Sequence, residues 1–238
     1  MLEEIDIRDV LFLDIETVPG YKNYNDLDEK SQVLWDKKSK SLSKGETTAE
    51  ELYQRAGIYS EFGKVVCISV GFAHKQDEEY HFRLKSFYSE IERDLLCGFR
   101  DLLNSMEHKN IYLCAHNGKE FDFPYIARRM LVNGIKLPQA LNMAGKKPWE
   151  IKHIDTMELW RFGDYKHYTS LELLTHIFNI PSPKADIDGS MVGKVFYEDR
   201  DLERIQLYCQ NDVIAIAQLF LRYRNEELIK EEHIHQVL

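Results

Sequence analysis

Residues Val10–Ile15 read VLFLDI, and Glu16 and Thr17 follow directly. A run this apolar, with no polar alternation, suits a strand covered on both faces of a sheet. It ends in two acids, Asp14 and Glu16, two residues apart, so both side chains leave the strand on one face. Two carboxylates on one face at the end of a buried strand repel each other and resist desolvation unless a cation compensates them. Pro19-Gly20 then breaks the strand.

Working outward, KVVCISVGFA (Lys64–Ala73) is a second strand and EYHFRL (Glu79–Leu84) a third. The polar turn Lys75–Glu78 joins them as a hairpin. Ser89–Met106 carries Ile91, Leu95, Leu96, Phe99, Leu102 and Leu103 at helical spacing, with Ser89 as the expected N-cap. Asn110–Ala115 is another buried strand, followed by the turn His116-Asn117-Gly118 and a helix over Phe121–Leu131. Lys152–Thr156 is a short strand, and helices follow at Ser170–Phe178, Ser190–Tyr197 and Asp201–Arg224. This order predicts an α/β fold with a mixed five-stranded sheet, an antiparallel meander and flanking helices. A single domain over 1–238 is expected, with a helical and loop insertion at about 21–60. A helix start is expected there at Thr47 or Thr48. The tail from Glu226, with His233 and His235, reads as a fraying helix end.

The chain has 238 residues, 44% hydrophobic and 30% charged, as an ordinary globular protein has. No apolar run approaches the ~20 residues that span a bilayer. The acidic N-terminus lacks the basic-then-apolar form of a secretory signal, so a cytoplasmic location is expected. Cys67, Cys97, Cys114 and Cys209 are scattered, as small buried thiols rather than a disulfide framework. A net charge of −9 argues against coating nucleic acid by bulk electrostatics. It leaves nucleic acid open as a substrate, because bound cations reverse the local field of the acids that hold them.

Two more acids stand where apolar elements end or face inward. Asp122 opens the helix after a buried strand, and Asp212 interrupts the apolar face of the last long helix, with Tyr208 one turn before it. Taken singly, a strand-end acid pair, a first-turn Asp and a helical acid are ordinary surface features. Together they form a set of hard oxygen ligands suited to magnesium or manganese. No H-E-x-x-H or C-x-x-C supports zinc.

FLDIET (12–17), HNGKEFD (116–122) and YCQND (208–212) resemble the three sequence blocks of the DEDD exonuclease superfamily, and Tyr208-x-x-x-Asp212 has the spacing of its DEDDy branch. Together with GKVVCISVGF, SLELL and KADIDGSMV, they resemble the stand-alone predicted 3′-5′ exonucleases related to the proofreading domain of family-B DNA polymerases. The resemblance runs from about residue 10 to residue 224. It implies a ribonuclease H-like fold and two divalent metal ions, Mg²⁺ or Mn²⁺. Asp14 would bridge both ions, Glu16 and Asp212 would bind the first, and Asp122 would help hold the second. Tyr208 would orient the attacking water. The implied substrate is single-stranded nucleic acid, with DNA placed ahead of RNA.

Around this set, Thr17 and Val18 are candidates for contact with the terminal nucleotide. Asn117 is a candidate for bonding the strand backbone, and Phe121 either packs under the site or is ordinary core. Asp155 is either a supporting residue or a turn residue. Lys184 and Arg128 or Arg129 are candidate phosphate contacts. Lys136, Lys146, Lys147 and Lys152 with Trp149, or Tyr165, His167 and Tyr168, are candidate paths for the strand. Competing readings are an endonuclease on the same fold and an inactive exonuclease-fold module that only binds nucleic acid or a protein.

Overall fold

The structure, a computed structural model, describes residues 4–43, 47–164, 168–181 and 186–237. Strand β1 (Val10–Pro19) leads through helices α1 (Glu29–Ser43) and α2 (Ala49–Leu52) into the hairpin β2 (Gly63–Gln76) and β3 (Glu79–Tyr88). Helix α3 (Glu92–Ser105), β4 (Tyr112–Ala115), α4 (Asp122–Val132), β5 (Ile154–Asp155) and α5 (Thr156–Arg161) come next. The chain closes with α6 (Leu171–Ile177), α7 (Val192–Lys194), α8 (Leu202–Tyr223) and β6 (Ile234–Gln236). A π-helical turn, Val195–Asp199, follows α7 directly.

The strands form one mixed sheet in the order β5-β4-β1-β2-β3-β6. β1, β2 and β3 are the antiparallel meander, β4 runs parallel to β1, and β5 parallel to β4. The sheet has six strands rather than the expected five. The sixth lies in the tail read as a fraying helix: Ile234–Gln236 pairs parallel with Phe82–Leu84. Three residues with only one apolar side chain give no strand periodicity, so backbone pairing at a sheet edge decides their conformation. His233 stacks on His81 at 4.0 Å, and His235 Nε2 lies 3.2 Å from His81 Nδ1.

β1 is buried on both faces, as its apolar run requires. Leu11, Leu13 and Ile15 pack with Leu95, Phe99, Phe123 and Ile126 of α3 and α4. Val10 and Phe12 pack on the other face with Val213, Ile216 and Phe220 of α8. Asp14 and Glu16 continue the α8-facing row. A side chain at Gly71 of β2 would collide with Phe82 and Val213, so glycine is what lets α8 approach the sheet. The hairpin turns through Asp77 and Glu78, both at positive φ (50° and 66°), the pattern of a two-residue turn matched to strand twist.

Ser89 does not cap α3 as expected. Its hydroxyl accepts from Ile91 N at 3.0 Å, and the helix begins at Glu92, whose carboxylate is buried. Thr48 caps α2 in a reciprocal pair with Glu51. The stretch between β1 and β2 has its own small core: Trp35 lies against Tyr53, Tyr59 and Phe62 and donates to Ala49 O at 2.7 Å. The four cysteines are free, three of them buried. Among the described residues no helix is long and apolar enough to cross a membrane.

Candidate active site

β1 sets the first two acids. The β1–β2 register shifts between Glu16 and Thr17, which pair with Cys67 and Val65, so Val66 is the extra residue of a bulge. A bulge re-aims side chains and ends regular pairing. It does so here beside Asp14 and Glu16. Val18, beyond the bulge, is fully buried with Val66, Val192 and Phe196.

The third acid depends on the turn after β4. Asn117 sits at φ 63°, and a side chain at Gly118 would collide with Ala115 and Phe123. Asp155 holds this turn by accepting from Asn117 N at 2.9 Å and Lys119 N at 3.0 Å, and it also caps α5. It therefore takes the turn role. The Asn117 Oδ1 is buried and has no hydrogen-bond partner among the described residues. Asp122 follows as the first residue of α4, 3% exposed.

α8 supplies Tyr208 and Asp212 one turn apart, the phenol facing the carboxylate. Between them stands Cys209, a residue the sequence reading left among ordinary buried thiols. Its Sγ donates to Asp14 O at 3.3 Å and lies 3.4 Å from Asp14 Oδ2. Ligand atoms of Asp14, Glu16 and Cys209 all lie within 4.8 Å of one another.

The electrostatics follow from burial without counter-charge. Desolvation pushes Asp14 and Glu16 well above the usual carboxylate range, and Asp212 and Asp122 push both further. Desolvation raises Asp122 to about 8 and Asp212 to about 6. Tyr208 is raised by burial and then by Asp212, Glu16 and Asp14. Among the described residues no lysine or arginine is paired with any of the four acids. Such a set suits hard divalent cations, which take carboxylate oxygens and would restore the ionised forms.

A cleft of about 580 Å³ opens beside Glu16, with Thr17 and Phe121 in its wall. Phe121 also packs on the core, its ring 5.3 Å from Tyr125. Tyr168, mostly exposed, is influenced by Asp122, Asp155 and Asp14 and so flanks the acids as well. Lys184, Tyr165 and His167 lie outside the described residues. Arg129 is committed to Glu92 and to Ser60 O, which removes it as a phosphate contact, and Arg128 is exposed away from the cleft wall. Lys146 and Lys152 line a different, smaller cleft of about 270 Å³.

The six-stranded mixed sheet with flanking helices has a ribonuclease H-like arrangement. The family B DNA polymerase from the hyperthermophilic archaeon Pyrobaculum calidifontis shares the fold, with a TM-score of 0.54 at 17% identity over 90% of this chain. The match takes in 24% of the polymerase, so the chain spans about a quarter of that protein's length. Residues 58–236 match the family of predicted 3′-5′ exonucleases related to the exonuclease domain of PolB, and the chain belongs to that family. The matched span holds Asp122, Tyr208 and Asp212 and begins after β1, which carries Asp14 and Glu16.

Proposed function

We propose that the protein is a two-metal 3′-5′ exonuclease that releases nucleoside 5′-monophosphates from single-stranded nucleic acid, DNA ahead of RNA. The observation that carries the reading is the convergence of Asp14, Glu16, Asp122 and Asp212, all with raised pKa and, among the described residues, no lysine or arginine paired with them. These four would hold two divalent ions, Mg²⁺ or Mn²⁺, which supply charge neutralisation at the scissile phosphate and promote ionisation of water. The water oxygen forms a new bond to phosphorus, the bond from phosphorus to the 3′ oxygen of the penultimate nucleotide breaks, and that oxygen takes up a proton.

The chain's own groups orient this exchange. Tyr208 keeps its proton, because a phenol ordinarily titrates near 10 and burial raises it further. It therefore acts as a donor that orients water rather than as a base. Thr17 offers a hydroxyl and Phe121 an aromatic face to the terminal nucleotide in the cleft beside Glu16. Asp155 fixes the turn that delivers Asp122.

The test is a 5′-labelled single strand incubated with Mg²⁺ or Mn²⁺. A ladder shortening stepwise from the 3′ end, with 5′-monophosphate products, is expected; EDTA and Asp212→Asn abolish it. Internal cuts, or full activity in Asp212→Asn, would contradict the proposal.

A further inference from the structure

The stretch between β1 and β2 has no part in the acid cluster, yet it builds one wall of the cleft beside Glu16. Lys22, Asn23, Gln54, Arg55, Gly57 and Ile58 come from it. The opposite wall is the 189–198 segment, with Lys194 and Glu198. Lys22 and Glu198 meet across the cleft at 3.8 Å, and Tyr197 OH donates to Pro19 O at 2.6 Å, fixing the second wall to the end of β1. Gly57 lies flat on Val18 and Pro19, where any side chain would clash, and its carbonyl accepts from Tyr125 OH at 2.7 Å. Both walls are therefore anchored to the strand that carries the acids.

Glu16 marks the end of the cleft beside the acids. Lys22, Arg55, Lys194 and Glu198 line the remainder; Lys22 is paired with Glu198, while Arg55 and Lys194 are exposed and make no ion pair among the described residues. With Lys22 balanced by Glu198, Arg55 and Lys194 remain as two unpaired cations in one cleft beside the acid cluster, in a chain of net charge −9. Clefts lined by one sign of charge concentrate ligands of the other. The volume, about 580 Å³, is that of a site for a small ligand or a short stretch of single strand.

We infer that this cleft is the binding channel for the nucleic-acid strand on the 5′ side of its terminal nucleotide, with Arg55 and Lys194 contacting backbone phosphates. The 20–62 stretch is then a substrate-binding element. This rests on the proposed exonuclease reading for its polarity: the terminal nucleotide lies at Glu16 and Thr17, and the strand leaves past Arg55 and Lys194. Phosphate contacts position a strand without reading its sequence, so the channel accepts any base order.

The test is binding without hydrolysis. The affinity of the full chain for a fluorescently labelled oligothymidylate is measured by anisotropy in EDTA across a salt series. Each phosphate contact on a single strand contributes about 0.7 to the slope of log affinity against log salt. The double variant Arg55→Gln/Lys194→Gln is expected to bind more weakly with a slope shallower by about 1.4. Lys146→Gln/Lys147→Gln, in the other basic segment, is expected to retain the wild-type slope. An unchanged slope in the Arg55/Lys194 variant, a loss confined to the Lys146/Lys147 variant, or no binding by the wild type would overturn the inference. Since no cleavage is needed, a wild type that binds through the cleft yet never shortens a strand would defeat the exonuclease reading alone.

Discussion

Glu92 and Arg129 form a two-pronged ion pair behind the site, with N–O distances of 2.8 and 2.6 Å and both side chains largely buried. Glu92 also accepts from Val65 N at the β-bulge and from Asn133, while Arg129 reaches Ser60 O. One carboxylate thus ties α3 and α4 to the strand position opposite Thr17. Removing one partner of a buried pair leaves the other charge uncompensated, which costs about 3–5 kcal/mol. Glu92→Ala is expected to lose stability of that order in urea unfolding. A loss below about 1 kcal/mol, the range of exposed pairs, would show that the pair is solvated.

The acid cluster makes stability depend on pH in a direction opposite to ordinary salt-bridged carboxylates. The folded-state pKa of Asp122 is about 8 and that of Asp212 about 6. Both lie above the unfolded value near 4. Below about pH 4 both states hold the proton and folding bears no penalty; as pH rises toward 8, the unfolded chain releases protons that the folded chain retains. The melting temperature in EDTA is therefore expected to fall between about pH 5 and 8, and added Mn²⁺ to restore it most at the upper end. Asp122→Asn should flatten this dependence. A metal-free melting temperature that rises over the same window would contradict the assignment.

Tyr208 separates orientation from proton transfer. Its pKa is raised, so no alkaline activation should come from it. Tyr208→Phe is expected to lower kcat about ten- to hundredfold, or about 1.4–2.7 kcal/mol, with the Mn²⁺ half-saturation and the shape of the pH profile retained. Equal loss of metal affinity would make the phenol part of the metal site instead.

The sequence is most legible where periodicity and burial agree. β1 could be read because it is apolar on both faces, so its two acids stood out against the run. α8 could be read from its stripe of Ile205, Val213, Ile216 and Phe220, and Asp212 from its interruption of that stripe. The rest depended on contacts between distant segments. β6 exists through its pairing with β3, Val18 turns into the core beyond a bulge opposite Val66, and Cys209 reaches Asp14 across 195 positions. Arg129 reads as a free cation until Glu92, 37 residues away, is seen beside it. None of these relations leaves a local pattern.

The central claim is that four carboxylates jointly hold a pair of divalent ions. Calorimetric titration of Mn²⁺ into wild type and Asp14→Asn at about pH 8, with no nucleic acid present, tests it most directly. About two ions per chain are expected for the wild type, with at least one lost and the other weakened in the variant. A wild type that binds no Mn²⁺, or a variant whose titration overlays that of the wild type, would contradict the account.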